Sequence, residues 1–345
     1  MKKNGFKTKL TEFHYGNTSN INFCQYFVLK ILSFFYKIIT VTRNFLYDKY
    51  FLDIECVNAR VISVGNITTG GVGKTPVVAE AAKFYAKKYG EKVCIISRGY
   101  GGHLNNKQIN VIKDNSGIKY TAYEAGDEPF WLAQNTPDDV VILTCANRVK
   151  AAEYAVNKYN ATKIILDDGF QHRRLNRDCD IVLVDSEKKF GNNSLLPVGP
   201  LRESLSSLKR ADRMYVVSKN IEHKKADIYA KELAAKYNKP TKVCKIEPDI
   251  IYNIGNNDIL DKTQPVTVVC AIGQPQQFIK FLKDLNIIET RIFDDHHCYS
   301  YDDFEGIKGN IVTTEKDAVK IKALGLHNVY ALRLKTSIDL TGLLD

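Results

Sequence analysis

A lysine and a threonine behind a run of glycines are the first residues whose types and spacing could do chemistry. Residues 61–75 read VISVGNITTGGVGKT. Glycines let successive backbone N–H groups converge on phosphate oxygens without a Cβ in the way. Lys74 can reach β- and γ-phosphates, the Thr75 hydroxyl can sit on Mg²⁺, and a helix starting there adds its positive dipole end. The stretch Thr68, Thr69, Gly70, Gly71, Val72, Gly73, Lys74 and Thr75 therefore reads as a phosphate-binding loop. The strict pattern G-x-x-x-x-G-K-[ST] fails at its first position, where Thr68 stands; the apolar run before it and the helical pattern after it restore the reading.

Other stretches carry possible chemistry. IILDDGFQH (164–172) ends an apolar run in two acids, Asp167 and Asp168. The carboxyl end of a parallel strand is where a phosphate-loop fold keeps its Mg²⁺ carboxylate, although an Asp pair before Gly169 also opens ordinary turns. Asp127 and Glu128 precede the helical stretch FWLAQN, where acids favour a first turn. Asp294-Asp295-His296-His297 is an acid–base pair, a metal site or a polar loop, with no third ligand at a recognisable spacing. The basic clusters His172-Arg173-Arg174 with Arg177, and Arg202 with Lys209-Arg210, could hold a phosphate or form a solvated face. Gly99-Tyr100-Gly101-Gly102 is a close backbone approach to a ligand or a flexible turn.

These residues need a scaffold. The 345 residues are too many for one small domain and suit two. From Arg60 short apolar runs alternate with helical patterns. Expected strands are 61–64, 92–97, 140–144, 163–166, 181–184 and 213–218, with helices starting near Pro76, Glu128 and Asn147. This is an α/β fold, phosphate-loop NTPase-like, a mainly parallel sheet flanked by helices, with a second smaller α/β domain. The expected division is a phosphate-loop domain over 60–247, a linker over 248–265 rich in Asn, Asp, Gly and Pro, and a small domain over 266–345. In the small domain the strand-like runs VTVVCAIG, RIFD, NIVTT and NVYALRL alternate with helices from Gln274, near Tyr301 and from Glu315.

Eight cysteines without a C-x-x-C pair suggest neither a zinc site nor a disulfide framework, and a reduced cytosolic compartment fits. The net charge is +10, and residues 1–60 hold nine Lys/Arg against four Asp/Glu. Residues 1–20 read as a polar, poorly ordered leader. Over 21–59 the chain turns apolar and basic, and Phe27, Ile31, Phe34, Ile38, Val41 and Phe45 recur at helical spacing. That stripe either packs on the domain or lies in a membrane interface, with basic residues on anionic headgroups. No aromatic-basic groove motif supports nucleic acid, and a monomer is expected.

Seven ordered blocks resemble the tetraacyldisaccharide 4′-kinases, the lipid A 4′-kinases of gram-negative bacteria: VISVGNITTGGVGKTPVV (61–78), SRGYGG (97–102), AGDEP (125–129), DDGFQHRRL (167–175), LLPVGPLRE (195–203), DHH (295–297) and TEKDAVK (314–320). That family also has Thr at the position of Thr68. The leader 1–20 and the short end after Leu334 depart from it. The resemblance implies ATP-dependent transfer of the γ-phosphoryl group to the 4′-hydroxyl of a tetraacylated glucosamine disaccharide 1-phosphate. It also implies a peripheral location on the cytoplasmic face of the inner membrane, with the N-terminal helix in contact. Carried over, 68–75 binds ATP, Asp127 is the catalytic acid–base residue paired with His296, and Asp167 and Asp168 are carboxylates on the metal side. Two other readings stay open: a soluble phosphate-loop ATPase or GTPase switch, and a non-enzymatic nucleotide sensor at the membrane surface.

Overall fold

The computed structural model describes residues 5–16, 21–219, 223–273, 275–294 and 297–342. Its strands are β1 (Arg60–Gly65), β2 (Val93–Ser97), β3 (Asn110–Asp114), β4 (Gly117–Ile118), β5 (Val141–Thr144), β6 (Lys163–Asp167), β7 (Cys179–Asp185), β8 (Arg213–Ser218), β9 (Thr241–Asn253), β10 (Pro265–Cys270), β11 (Asn286–Ile292), β12 (Asn310–Thr314) and β13 (Val329–Ser337). The helices are α1 (Gly5–His14), α2 (Phe23–Asp48), α3 (Lys74–Tyr89), α4 (Ala122–Ala125), α5 (Asp127–Asn135), α6 (Arg148–Tyr159), α7 (Lys224–Tyr237), α8 (Pro275–Phe281) and α9 (Glu315–Lys322).

Among the described residues all thirteen strands join one sheet, ordered β11-β10-β12-β13-β9-β8-β7-β1-β6-β2-β5-β3-β4. The central pairings are parallel; β3 with β4 and β5, and β9 with β13, are antiparallel. β1, β2, β6 and β7 are buried along nearly their whole length, because helices cover both faces. Helix ends follow local chemistry: Gly90 closes α3 at φ +63, and the side chain of Asn147 accepts from Lys150 N–H at the start of α6.

Several expectations need correction. The leader read as poorly ordered contains the helix α1, whose Phe13 packs with Leu29 and Val198. The stretch 248–265 does not begin as a linker, because β9 runs through Glu247-Pro248-Asp249 and pairs with both β8 and β13. Pro248 lies opposite Leu334, where the β9–β13 register shifts, a place in a sheet that tolerates a missing N–H. The helix expected near Tyr301 is a single 3₁₀ turn, Tyr301–Phe304. The start expected at Gln274 lies outside the described residues; α8 is described from Pro275.

The apolar stripe of α2 faces outward: Phe27, Ile31, Phe34, Ile38, Val41 and Phe45 are all exposed. The face on the domain is instead a narrow, largely polar seam. Ser33 and Tyr36 donate to the carbonyls of Leu195 and Arg202 at 3.0 and 2.9 Å, Arg43 to that of Gln171, and Asn44 to Glu203 at 2.8 Å. Among the described residues α2 is the one helix long and apolar enough to cross a membrane by length and composition.

Candidate active site

The phosphate loop leaves β1 at Gly65 and enters α3 at Lys74. Val64 is level with Asp167 in the β1–β6 register, so the loop leaves the sheet beside the carboxylates that end β6. Gly73 caps α3 at φ +107, where a Cβ would also stand 2.8 Å from Ile246 Cδ1. The 195–202 segment braces the loop: Thr68 bridges to Leu201, and Thr69 N–H donates to the Pro200 carbonyl at 2.8 Å. Asn66 ties the loop's two ends together, with Nδ2 on the Thr68 carbonyl at 2.8 Å and Oδ1 accepting from Lys74 Nζ at 3.2 Å.

Asp168 sits at φ +54 directly after β6. Lys74 Nζ is 3.4 Å from its Oδ1, and Arg202 Nη1 reaches its two oxygens at 3.0 and 2.8 Å. Burial alone would raise the carboxyl of Asp168, but these two cations outweigh it and hold it below the usual range. Asp167 is the opposite case. It is 3% exposed, and its Oδ1 has no hydrogen-bond partner among the described residues. Burial, and then the charges of Glu128 and Asp168, push it up to about 7. An uncommitted, buried carboxylate oxygen fits a hard cation, as does the hydroxyl of Thr75. Among the described residues no group of three or more His, Cys, Asp or Glu could hold a metal by itself.

Asp127 opens α5. The glycine turn 99–102 packs on the chain just before it, since a Cβ on Gly126 would meet the Tyr100 carbonyl at 2.8 Å and one on Gly102 the Ala125 carbonyl at 2.7 Å. From the C-terminal part of the chain α9 lies against α5. Lys320 Nζ is 2.8 Å from Asp127 Oδ2, Lys316 Nζ is 2.7 Å from Glu128 Oε1, and Trp131 Nε1 donates to Glu315 at 3.2 Å. Partial burial disfavours the charge on Glu128, but Lys316 and then Lys74 outweigh it and lower its pKa. His296 lies outside the described residues. Its neighbour His297 stacks on Phe293 and donates to Asp303 at 3.0 Å, and its carbonyl is 3.5 Å from Lys320 Nζ. Lys320 thus joins Asp127 to the residue next to His296.

The basic clusters are largely spent on internal ion pairs. Arg173 reaches Asp48 and the Asn44 carbonyl on α2, Arg174 pairs with Glu55, Arg177 with Asp180, and Arg210 with Glu203. Burial, followed by four neighbouring arginines, takes His172 down to about 4. Arg202 is the member that reaches the phosphate-loop site. Reading the sequence missed Asn66, Lys316 and Lys320; the i, i+4 spacing of the two lysines on α9 was the available signal.

A model of the family described as LpxK, tetraacyldisaccharide-1-P 4′-kinase, matches residues 25–344. The chain belongs to this family. The tetraacyldisaccharide 4′-kinase of Halothermothrix orenii is 38% identical over 351 residues, spanning 92% of this chain and 90% of that protein. That of Francisella tularensis subsp. novicida is 38% identical over 288 residues, spanning 81% and 85%. The crystal structure of Aquifex aeolicus LpxK in complex with ATP superposes with a TM-score of 0.72 at 30% identity, covering 91% of this chain and 95% of that one. The resemblance read from the seven blocks and the phosphate-loop fold class are borne out. The chain is a tetraacyldisaccharide 4′-kinase by family, an ATP-dependent enzyme of lipid A biosynthesis, and the soluble-switch reading is not favoured.

Proposed function

We propose that residues 68–75 bind ATP, that Asp127 accepts the proton of the 4′-hydroxyl, and that α2 seats the enzyme on the cytoplasmic face of the inner membrane. The observation that carries the site is the meeting of Lys74, Asp167 and Asp168 at the carboxyl ends of β1 and β6, with Glu128 near enough for their charges to act on one another and Asp127 next to it, both held by lysines of α9. Loop amides and Lys74 hold the phosphates and neutralise charge developing on the transferred group. Asp168, paired with Lys74 and Arg202, keeps the lysine in place. Mg²⁺, when bound, orients the γ-phosphoryl group and offsets its charge; Thr75 and Asp167 would hold it. Asp127 takes the acceptor proton as the oxygen attacks, and His296 orients Asp127 or shares that proton.

Purified full-length chain should transfer labelled phosphate from ATP to tetraacyldisaccharide 1-phosphate. Asp127→Asn keeps the shape and first-turn character of the residue but not its basicity. Turnover should fall about 10²–10⁴-fold, while ATP binding and Tm hardly move. A loss below threefold would return Asp127 to a helix-start role.

A further inference from the structure

The N-terminal segment that the family match leaves out touches the phosphate loop. The family match begins at residue 25 of this chain, whereas α1 and the turn after it fold back over the 191–200 loop. His14 Nε2 donates to the Pro197 carbonyl and Asn192 N–H to the His14 carbonyl, both at 2.9 Å, and His14 is buried. Phe13 packs edge-on against Tyr26 of α2, with centroids 5.8 Å apart. This anchoring delivers Tyr15, whose hydroxyl donates to the carbonyl of Thr69 at 3.2 Å. The Tyr15 ring carries the ammonium of Lys188 at 5.0 Å.

A second donor grips the same loop from outside. Lys219 Nζ, held 3.6 Å from Asp185 at the end of β7, donates to the Gly71 carbonyl at 2.7 Å. Asp185 also accepts from the backbone N–H of Lys188, so both grips rest on one turn. Their chemical effect follows from the peptide unit. In a trans peptide the carbonyl and the next N–H point to opposite sides. Holding the Thr69 carbonyl on the outer face turns the Gly70 N–H toward the inner face, where an anion would sit. Gly70 has φ +102 and no Cβ, so nothing in its own side chain fixes that orientation.

We propose that Tyr15 is a positioning residue for ATP: the N-terminal strap sets the phosphate loop's Thr69–Gly70 peptide for phosphate binding. This rests on the reading of residues 68–75 as the ATP site. Orienting the amide beforehand raises affinity because binding no longer has to order it. With Asp127 as the proton acceptor, the acceptor sugar would sit at the α5–α9 side of the site, so the strap should act on nucleotide affinity and leave the chemical step alone.

The test is Tyr15→Phe in the full chain, which keeps the ring over Lys188 and removes only the hydroxyl. Equilibrium binding of ATP, KM for ATP, kcat, acceptor KM and Tm are measured side by side. The expected result is a 3- to 10-fold rise in Kd and KM for ATP, about the factor one net hydrogen bond is worth. kcat, acceptor KM and Tm should stay near the wild-type values. Deletion of residues 1–16 should raise the ATP Kd at least as much. Unchanged ATP affinity in both variants would overturn the inference, and so would a loss confined to Tm. If the wild-type chain itself bound no ATP, the site assignment would fail first and the strap with it.

Discussion

Asp167 and Asp168 are neighbours in sequence and opposites in surroundings. Asp168 is held ionised by Lys74 and Arg202; Asp167 is buried with an oxygen uncommitted among the described residues. The sequence alone could not separate them, because Arg202 arrives from a distant segment and burial is a property of the assembled sheet. The separation has a sign that can be measured. Asp167 is shifted upward from 3.8 to about 7, so the folded state holds a proton that the unfolded chain has lost between those values. Its contribution to stability is therefore greatest below about pH 4 and declines as pH rises through 7. Between pH 5.5 and 8 the Tm of unliganded enzyme should fall less steeply in Asp167→Asn than in wild type, and the variant should need more Mg²⁺ for any residual turnover. Equal slopes and an unchanged Mg²⁺ titration would return Asp167 to a turn residue. Lys74→Ala should lower turnover by several orders of magnitude, since it removes charge from the transition state and unpairs Asp168; near-normal activity would sink the phosphate-loop assignment. The loop itself was legible because its parts are contiguous: strand, glycines, Lys-Thr, helix.

At the scale of elements, α2 and α9 show where reading by periodicity succeeds and where it stops. The stripe of Phe27, Ile31, Phe34, Ile38, Val41 and Phe45 announced a helix, but periodicity cannot say which side meets the protein. The seam answers that with hydroxyl, amide and guanidinium groups on backbone carbonyls, leaving the stripe outside. Phe34→Asp with Ile38→Asp should reduce flotation with anionic liposomes while leaving Tm within about 2 °C, because both positions are exposed. Flotation equal to wild type would show that another surface meets the membrane. For α9 the lysines of the TEKDAVK block were visible, but their carboxylate partners on α5 were not, because no local pattern pairs residues so far apart. Lys320→Met should lower kcat about 10-fold or more with little change in the KM for ATP, since Asp127 loses its positioning partner. Lys320→Arg should recover part of that loss. A change in Tm alone would make the pair structural.

For the molecule as a whole, alternating strands and helices gave away the α/β class, while the join between its two parts stayed hidden. Pro248 and the polar residues around it look like the end of a domain, yet they lie in the strand that carries the sheet onward. The two parts keep separate apolar cores on a shared sheet. That sharing has a mechanical consequence. A flexible linker would let the parts swing on a soft hinge, whereas a hydrogen-bonded ladder is stiff against opening and compliant mainly in twist. The weak point is the register shift opposite Pro248. Nucleotide should therefore shift α9 on α5, which it already touches, by a small torsion of β9 against β13, not by a sweep of one part toward the other. Scattering should give a radius of gyration that shifts by less than about 1 Å on ATP addition, and amide exchange should change first at β9 and β13. A contraction of several ångströms would mean that the sheet parts there and that the molecule works as a hinge after all.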